Sequence, residues 1–166
     1  MKFPQNRRTQ QSGMTLLEVM IAAMLMAGFF ASIFELNAVC LRYIDASKET
    51  VAALESVHDR CEALRNLAFS DLANTSYVQG LMATPANASD FCKKATEVVK
   101  IKGYPTPDGV TQFTRTPSGT VTKNSTATNL GTTVVQIDVS SSWNMALNGR
   151  ARSEQTTTFV SNGSKK

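Results

Sequence analysis

The chain has 166 residues, 42% of them hydrophobic, and a formal net charge of +4. Three of its 17 Lys and Arg residues lie in the first 13 positions, which contain no acid, so the other 14 nearly balance the 13 Asp and Glu residues. Because nucleic-acid binding needs a basic patch or stripe, this near-neutral remainder gives no electrostatic case for a nucleic-acid partner. The length fits one domain, with roughly 100 residues left for a soluble core after an apolar N-terminal segment.

Residues 14–41 form this apolar segment, and residues 1–13 precede it as a short basic leader. No charge occurs from residue 19 to residue 34, which amounts to about 24 Å of helix. The hydrocarbon layer of a membrane is about 30 Å thick, so a helix that spans it over residues 14–41 must tolerate both Glu18 and Glu35. The basic residues before the segment would stay in the cytoplasm, which places the C-terminal domain outside it.

Glu18 is the unusual residue of this segment. A carboxylate inside a membrane helix costs on the order of 2.5–3.5 kcal/mol at the membrane centre, so it is usually kept for a partner. Cleavage between Gly13 and Met14 would create a free α-amino group four residues before Glu18. The simpler alternative is that Glu18 extends to the cytoplasmic headgroups.

Residues 12–22, SGMTLLEVMIA, resemble the N-terminal motif of type IV pilins and of the related type II secretion pseudopilins. The resemblance implies cleavage after Gly13 by a prepilin peptidase and N-methylation of Met14. It also implies that Glu18 aligns an incoming subunit by pairing with the N-terminal amine of a neighbour. Two departures leave the subclass open, because many relatives begin with Phe rather than Met14 and carry a proline that this helix lacks.

The same resemblance implies a structural subunit rather than an enzyme, without a cofactor or a small-molecule substrate. Its partners would be the prepilin peptidase and N-methyltransferase, other pilin or pseudopilin subunits, and the assembly platform of the bacterial inner membrane. It would start as a single-pass inner-membrane protein and end in a periplasmic or extracellular filament. The last predicted hairpin is loosely similar to that of minor subunits, so we expect a minor component of a pilus, a secretion pseudopilus or a DNA-uptake machine.

Small residues give an independent argument for helix packing in this segment. Ala23, Ala27 and Ala31 recur every four residues, and Gly28 and Ser32 form a second pair beside them. Such rows let membrane helices approach closely. Alanine is also simply common in apolar helices, so the row is a mild indication of assembly.

Residues 42–69 continue the helix as an amphipathic segment. Apolar or small residues follow steps of three and four, and no Gly or Pro interrupts the chain from 29 to 71, so we expect one helix over about residues 15–68. Its stripe would pack on the C-terminal domain, or alternatively in a coiled coil. The predicted stripe consists of Leu36, Cys40, Tyr43, Ser47, Val51, Leu54, Val57, Cys61, Leu64 and Ala68.

Residues 70–166 are predicted to form a small β-rich globular domain. Ser89 is a candidate N-cap for a brief helix that ends at Lys94. Strands are expected at 97–102, 110–115, 132–143 and 152–160, with a loop at 103–109, a loop or weak edge strand at 119–129, and a turn at Asn148-Gly149. The predicted fold class is therefore α+β, a long helix whose second half carries a small antiparallel sheet. The pilin resemblance implies the same layout.

The sequence contains little that suggests catalysis. The one histidine, His58, lies one turn before Cys61, and Cys92 could add a third ligand, but structural zinc normally needs four, so we expect no metal. No phosphate-binding glycine loop or hydrolase motif occurs. Cys61 and Cys92 could form a disulfide in an oxidising compartment, with three separate buried thiols as the alternative.

Two other functions stay open. The chain could be a single-pass, signal-anchored protein with a ligand-binding or enzymatic domain outside the cytoplasm, in which case Glu18 is incidental. It could also be a filament-tip subunit that acts as an adhesin or takes up DNA, although the outer domain lacks a basic stripe.

Overall fold

A computed structural model describes residues 14–163 of the chain, which divides into two compact units between Leu41 and Arg42. Helix α1, Leu16–Arg65, runs through this boundary without a break. No proline occurs within it and its single glycine, Gly28, lies in the apolar half. The helix ends three residues earlier than predicted, where the Leu67 N–H bonds to the Leu64 carbonyl at 3.2 Å and turns the chain.

Two short helices follow that the sequence did not predict: α2, Phe69–Ala73, and α3, Thr75–Ala83. Asn74 caps α3, because its side chain accepts hydrogen bonds from the N–H groups of Ser76 and Tyr77. The prediction of a helix from Ser89 to Lys94 is wrong, because this stretch forms a turn. The N–H groups of Lys94 and Ala95 both bond to the Phe91 carbonyl, so the chain makes only a turn before it enters the sheet at Thr96.

Five antiparallel strands form one sheet in the order β3-β2-β1-β4-β5. The β4–β5 hairpin was predicted from the sequence and is confirmed, with Gly149 at a φ of +67° in its turn. The predicted edge strand within 119–129 is present as β3. The strands are β1, Thr96–Gly103; β2, Thr111–Arg115; β3, Val121–Ser125; β4, Val134–Asn144; and β5, Ala151–Ser161.

The core lies between one face of this sheet and the helices. Alternate residues of β1 and β4 are buried, which is the period-2 pattern of a sheet with one covered face. They pack with the end of α1 and with α2 and α3, so the predicted α+β fold, with the sheet on the second half of α1, is confirmed. The main core cluster includes Val57, Cys61, Leu64, Leu72, Val78, Met82, Val99, Ile101, Phe113, Val135, Ile137, Val139 and Val160.

The predicted apolar stripe of α1 is right only from Val57 onward. Tyr43, Val51 and Leu54 are 62%, 63% and 51% exposed. In this stretch the buried positions are instead occupied by small residues, Ala46, Ala53 and Ser56, and Ala53 packs in a second cluster with Ala95 and Trp143. Where the helix passes close to its neighbours, small side chains are enough to fill the space between them. A prediction based on the larger apolar residues therefore chose the wrong face of the helix.

Candidate functional site

The candidate site is the start of α1. Gly13, the predicted cleavage position, and the basic leader lie outside the described residues, whereas Met14 is described and is 70% exposed. Thr15 caps the helix: its Oγ1 accepts a hydrogen bond from the Glu18 N–H at 3.3 Å, and its carbonyl oxygen lies 3.0 Å from the same nitrogen. Thr15-x-x-Glu18 has the spacing of a capping box, a sequence signal from which the start of this helix could have been predicted.

The Glu18 carboxylate has no hydrogen-bond or ion-pair partner among residues 14–163. The segment 14–41 contains no Lys or Arg, and the first basic residue after Glu18 is Arg42. Glu18 is exposed and lies on a helix whose large side chains are exposed as well. If the chain began at Met14, its α-amino group would be the nearest positive charge in the sequence.

The first half of α1 is long and apolar enough to span a membrane. Every described residue from 14 to 41 is exposed, so the chain itself covers none of this apolar surface. A helix that is apolar on all sides requires either a protein interior or lipid around it. The protein therefore has one candidate membrane anchor among its described helices.

The predicted small-residue rows lie on this exposed helix. A Cβ atom added at Gly28 would meet nothing within 4 Å, so no contact inside the chain requires glycine there. A glycine in a helix interior costs about 1 kcal/mol relative to alanine. Ser32 donates a hydrogen bond to the Gly28 carbonyl at 3.0 Å, so its hydroxyl adds no unpaired polar group. Together with Ala23, Ala27 and Ala31, these residues have short side chains, so another helix could approach the backbone closely here.

Cys61 and Cys92 are buried free thiols, as in the alternative to a disulfide, whereas Cys40, which that alternative also expected to be buried, is exposed. Cys61 Sγ lies 4.0 Å from the Thr156 carbonyl on β5, whereas Cys92 Sγ lies 3.1 Å from Ser56 Oγ, so each sulfur is directed at a different neighbour. Burial, followed by the charges of Glu62 and Asp138, raises the pKa of Cys61 to about 11. The thiolate is the reactive form, so Cys61 is poorly suited to nucleophilic chemistry near neutral pH.

The His58–Cys61 pair does not form a ligand pair. His58 is exposed and Cys61 is buried, so the two side chains face different surroundings. Across residues 14–163, no three His, Cys, Asp or Glu side chains are placed to hold a metal ion.

The most prominent charged group of the C-terminal domain is a buried ion pair that the sequence did not predict. Arg60 Nε donates to Glu97 Oε1 at 2.6 Å, and the two side chains are 2% and 8% exposed. The remaining donors of Arg60 bond to the carbonyls of Leu81 and Thr84 at 3.1 and 2.7 Å. The arrangement joins α1, β1 and the end of α3, which is a structural role.

Comparison of the chain with protein families, characterised proteins and solved structures finds no match. The functional assignment therefore rests on the chemistry of its own residues.

Proposed function

We propose that the chain is a prepilin-like structural subunit that is cleaved after Gly13 and N-methylated at Met14. Residues 14–41 hold it in the bacterial inner membrane, with the C-terminal domain outside the cytoplasm. It is then assembled into a type IV pilus or a type II secretion pseudopilus, as a minor component. The observation that carries this proposal is the Glu18 carboxylate, which lies on an apolar, exposed helix with no intrachain partner among residues 14–163.

An N-terminal amine would neutralise this carboxylate. Four residues of helix correspond to about 6 Å, so a shift of that size between two parallel helices sets the Met14 amine of one beside Glu18 of the other. The pair offsets the cost of a lone carboxylate in lipid, which is on the order of 2.5–3.5 kcal/mol at the membrane centre. A subunit out of register would leave both charges unpaired, and this penalty selects the correct axial position.

The capping of this helix does not explain a charge at position 18. Thr15 Oγ1 accepts from the backbone N–H of Glu18, and the Glu18 carboxylate returns no hydrogen bond to Thr15, so the cap does not depend on the side chain at 18. Replacing Glu18 by glutamine therefore removes the charge while it keeps the cap. This substitution separates an alignment role from a purely local helical one.

The small-residue rows support the same proposal. Gly28 meets no atom of its own chain, and the neighbouring Ala27 and Ala31 are also short, so a second helix can approach the backbone here. Close approach brings the ends of the two helices within reach of each other. The alternative function, a signal-anchored protein with a ligand-binding or enzymatic domain, gives no role to Glu18 or Gly28.

The test compares Glu18→Gln with Glu35→Gln, because Glu35 is the only other acid in the segment 14–41. Full-length variants are expressed in the source bacterium, and the mature protein is quantified in the inner membrane and in filaments sheared from the cells. We expect both variants to insert and to be cleaved. Glu18→Gln should reach filaments at a level at least about tenfold below wild type, which corresponds to roughly 1.4 kcal/mol, whereas Glu35→Gln should assemble nearly normally.

Normal assembly of Glu18→Gln would refute the alignment role. Equal loss in both variants would also count against it, because it would show that the segment tolerates no loss of charge anywhere.

A further inference from the structure

The turn between β4 and β5, residues 145–150, lies beside the residues of α1 that directly follow the segment 14–41. The Ala146 N–H donates a hydrogen bond to the Glu49 carboxylate at 3.2 Å. Ala146 also lines a cavity together with Arg42, which is the first residue after the segment. The β4–β5 turn is therefore held close to the start of the C-terminal part of α1.

Strands β4 and β5 run along α1, and the β4–β5 turn marks one end of this contact. Ala53 packs with Trp143, close to the turn, whereas Arg65 lines a cavity with Ser161 at the opposite end of β5. Residues 42 and 65 are about 35 Å apart along a helix. A surface at the level of residue 42 would thus be near the turn and far from the end of β5.

The length of the segment 14–41 sets the level of Arg42 in a membrane. The segment corresponds to about 42 Å of helix, and a bilayer with its headgroups is about 40–45 Å thick. A membrane that the segment spans therefore ends near Arg42, at the level of the headgroups. Tyr43, which is 62% exposed, follows directly, and tyrosine is enriched at this level in membrane proteins. The β4–β5 turn lies at the same level, because Ala146 shares a cavity with Arg42.

Two arginines at this level have no partner in the described part of the chain. Arg42 and Arg150 are exposed, and neither guanidinium makes a hydrogen bond or an ion pair with any residue that the structure describes. The acids close to them are already engaged, because Asp45 lies 3.7 Å from Lys48 and Glu49 accepts from the turn. A guanidinium pairs with a phosphate group through two parallel hydrogen bonds. The two arginines therefore complement the phosphates of a membrane surface.

We propose that Arg42 and Arg150 bind the phosphate groups of anionic phospholipids in the leaflet from which Arg42 emerges, so that the β4–β5 turn docks on the membrane surface. An anionic leaflet attracts basic side chains within a Debye length, which is about 8 Å at physiological ionic strength. The level of the arginines selects lipid as the occupant, because an acidic protein would have to enter the space between the domain and the headgroups. The proposal rests on the membrane anchor of the proposed function, but not on cleavage, on Glu18 or on filament assembly.

The first test measures how close the β4–β5 turn lies to lipid headgroups. The full chain is placed in bilayer discs of phosphatidylcholine, with or without phosphatidylglycerol, that contain a lipid with a gadolinium chelate on its headgroup. NMR then measures the paramagnetic relaxation of the backbone amides. In discs with phosphatidylglycerol, Gly149 should relax at least about tenfold faster than Asn162, which follows the far end of β5 about 35 Å further along α1.

Removal of phosphatidylglycerol should lower the relaxation of Gly149, because the neutral surface no longer attracts the arginines. Equal relaxation of Gly149 and Asn162 would overturn the proposal. Relaxation of Gly149 that is the same in both kinds of disc would also overturn it, because the turn would then lie near the surface without binding anionic lipid.

The second test compares two double variants in the discs with phosphatidylglycerol. Each arginine near an anionic surface favours the docked state about fivefold, so Arg42→Gln with Arg150→Gln should lower the ratio of docked to undocked domains about 25-fold. Lys100→Gln with Lys123→Gln is the matched control, because it removes the same charge from exposed side chains on β1 and β3. We expect the relaxation of Gly149 to fall only in the arginine variant.

Unchanged relaxation in the arginine variant, or an equal loss in both variants, would refute the docking of the turn. A chain that inserts into the discs without docking would leave the membrane anchor, and with it the proposed function, intact. A chain that does not insert into the discs at all would refute both.

Discussion

Arg60 is a buried charged residue and Glu18 is an exposed charged residue on an apolar helix, and they differ in whether the chain supplies a partner. Arg60 finds a carboxylate and two carbonyls inside its own domain, within 2.6 to 3.1 Å. Glu18 finds no partner within residues 14–163. A charge without an internal partner requires either solvent or another molecule, and the role proposed for Glu18 takes the second option, whereas Arg60 is satisfied inside its domain.

Substitution of Arg60 should destabilise the C-terminal domain strongly. Arg60→Met leaves Glu97 buried without its counter-charge, which typically costs about 3–5 kcal/mol. Arg65→Met is the matched control, because the Arg65–Glu62 pair is exposed and such pairs contribute less than about 1 kcal/mol. The free energy of unfolding is measured by urea denaturation in detergent, with the fluorescence of Trp143 as the probe. Equal destabilisation by the two variants would contradict the role assigned to Arg60.

Glu18 could be singled out from the sequence because one acid interrupts an apolar run. Arg60 could not, because it lies in a charged stretch, DRCEALR, where an arginine resembles any solvent-facing residue. Its partner, Glu97, is 37 residues further along, so only the fold brings the two together. The choice between a disulfide and free thiols at Cys61 and Cys92 stayed open for a similar reason, since cysteine spacing does not define which neighbour each sulfur faces.

Asp138 of β4 connects this strand to both of its neighbours in the sheet, β1 and β5. Lys102 of β1 lies 3.1 Å from one carboxylate oxygen, and Thr157 of β5 donates to the other at 2.8 Å. Burial opposes the charge of Asp138, but the hydrogen bonds from Gln136, Thr157 and Lys102 and the charge of Lys102 outweigh it. Together they lower the pKa of Asp138 below its ordinary value of 3.8.

This shift predicts how the stability of the sheet depends on pH. A carboxylate whose pKa is lower in the folded state contributes stability above its unfolded pKa, and loses it as the pH falls through the folded pKa. Asp138→Asn should therefore be less stable than wild type at pH 7, and the difference should shrink below about pH 4. Urea denaturation of both proteins at several pH values measures it. A difference that stays constant with pH would show that Asp138 acts through packing rather than charge.

Elements whose apolar residues recur with a clear period could be predicted from the sequence, and the others could not. Val135, Ile137 and Val139 alternate strictly, and the buried face of β4 was correct. Helices α2 and α3, of five and nine residues, are too short for a helical period to emerge. The apolar stripe predicted for α1 is wrong before Val57, because alanine and serine are buried there instead of the larger apolar residues.

At the scale of the whole molecule, the chain separates two tasks between its two units. All residues of both core clusters lie between Ala53 and Val160, so the C-terminal domain needs no residue of the segment 14–41 for its core. The segment in turn keeps its apolar surface, its small residues and Glu18 exposed. This division is compatible with the proposed subunit, in which residues 14–41 contact other subunits.

The central claim is that removal of residues 1–13 creates the amine that Glu18 requires. It is tested most directly by intact-mass spectrometry of the protein extracted from the membranes of the cells that naturally produce it, with Gly13→Leu as the control that should keep the leader because a bulky residue blocks the cut. The account predicts a wild-type mass that starts at Met14 and carries one methyl group on its amine. A mature protein that still carries residues 1–13 would contradict it.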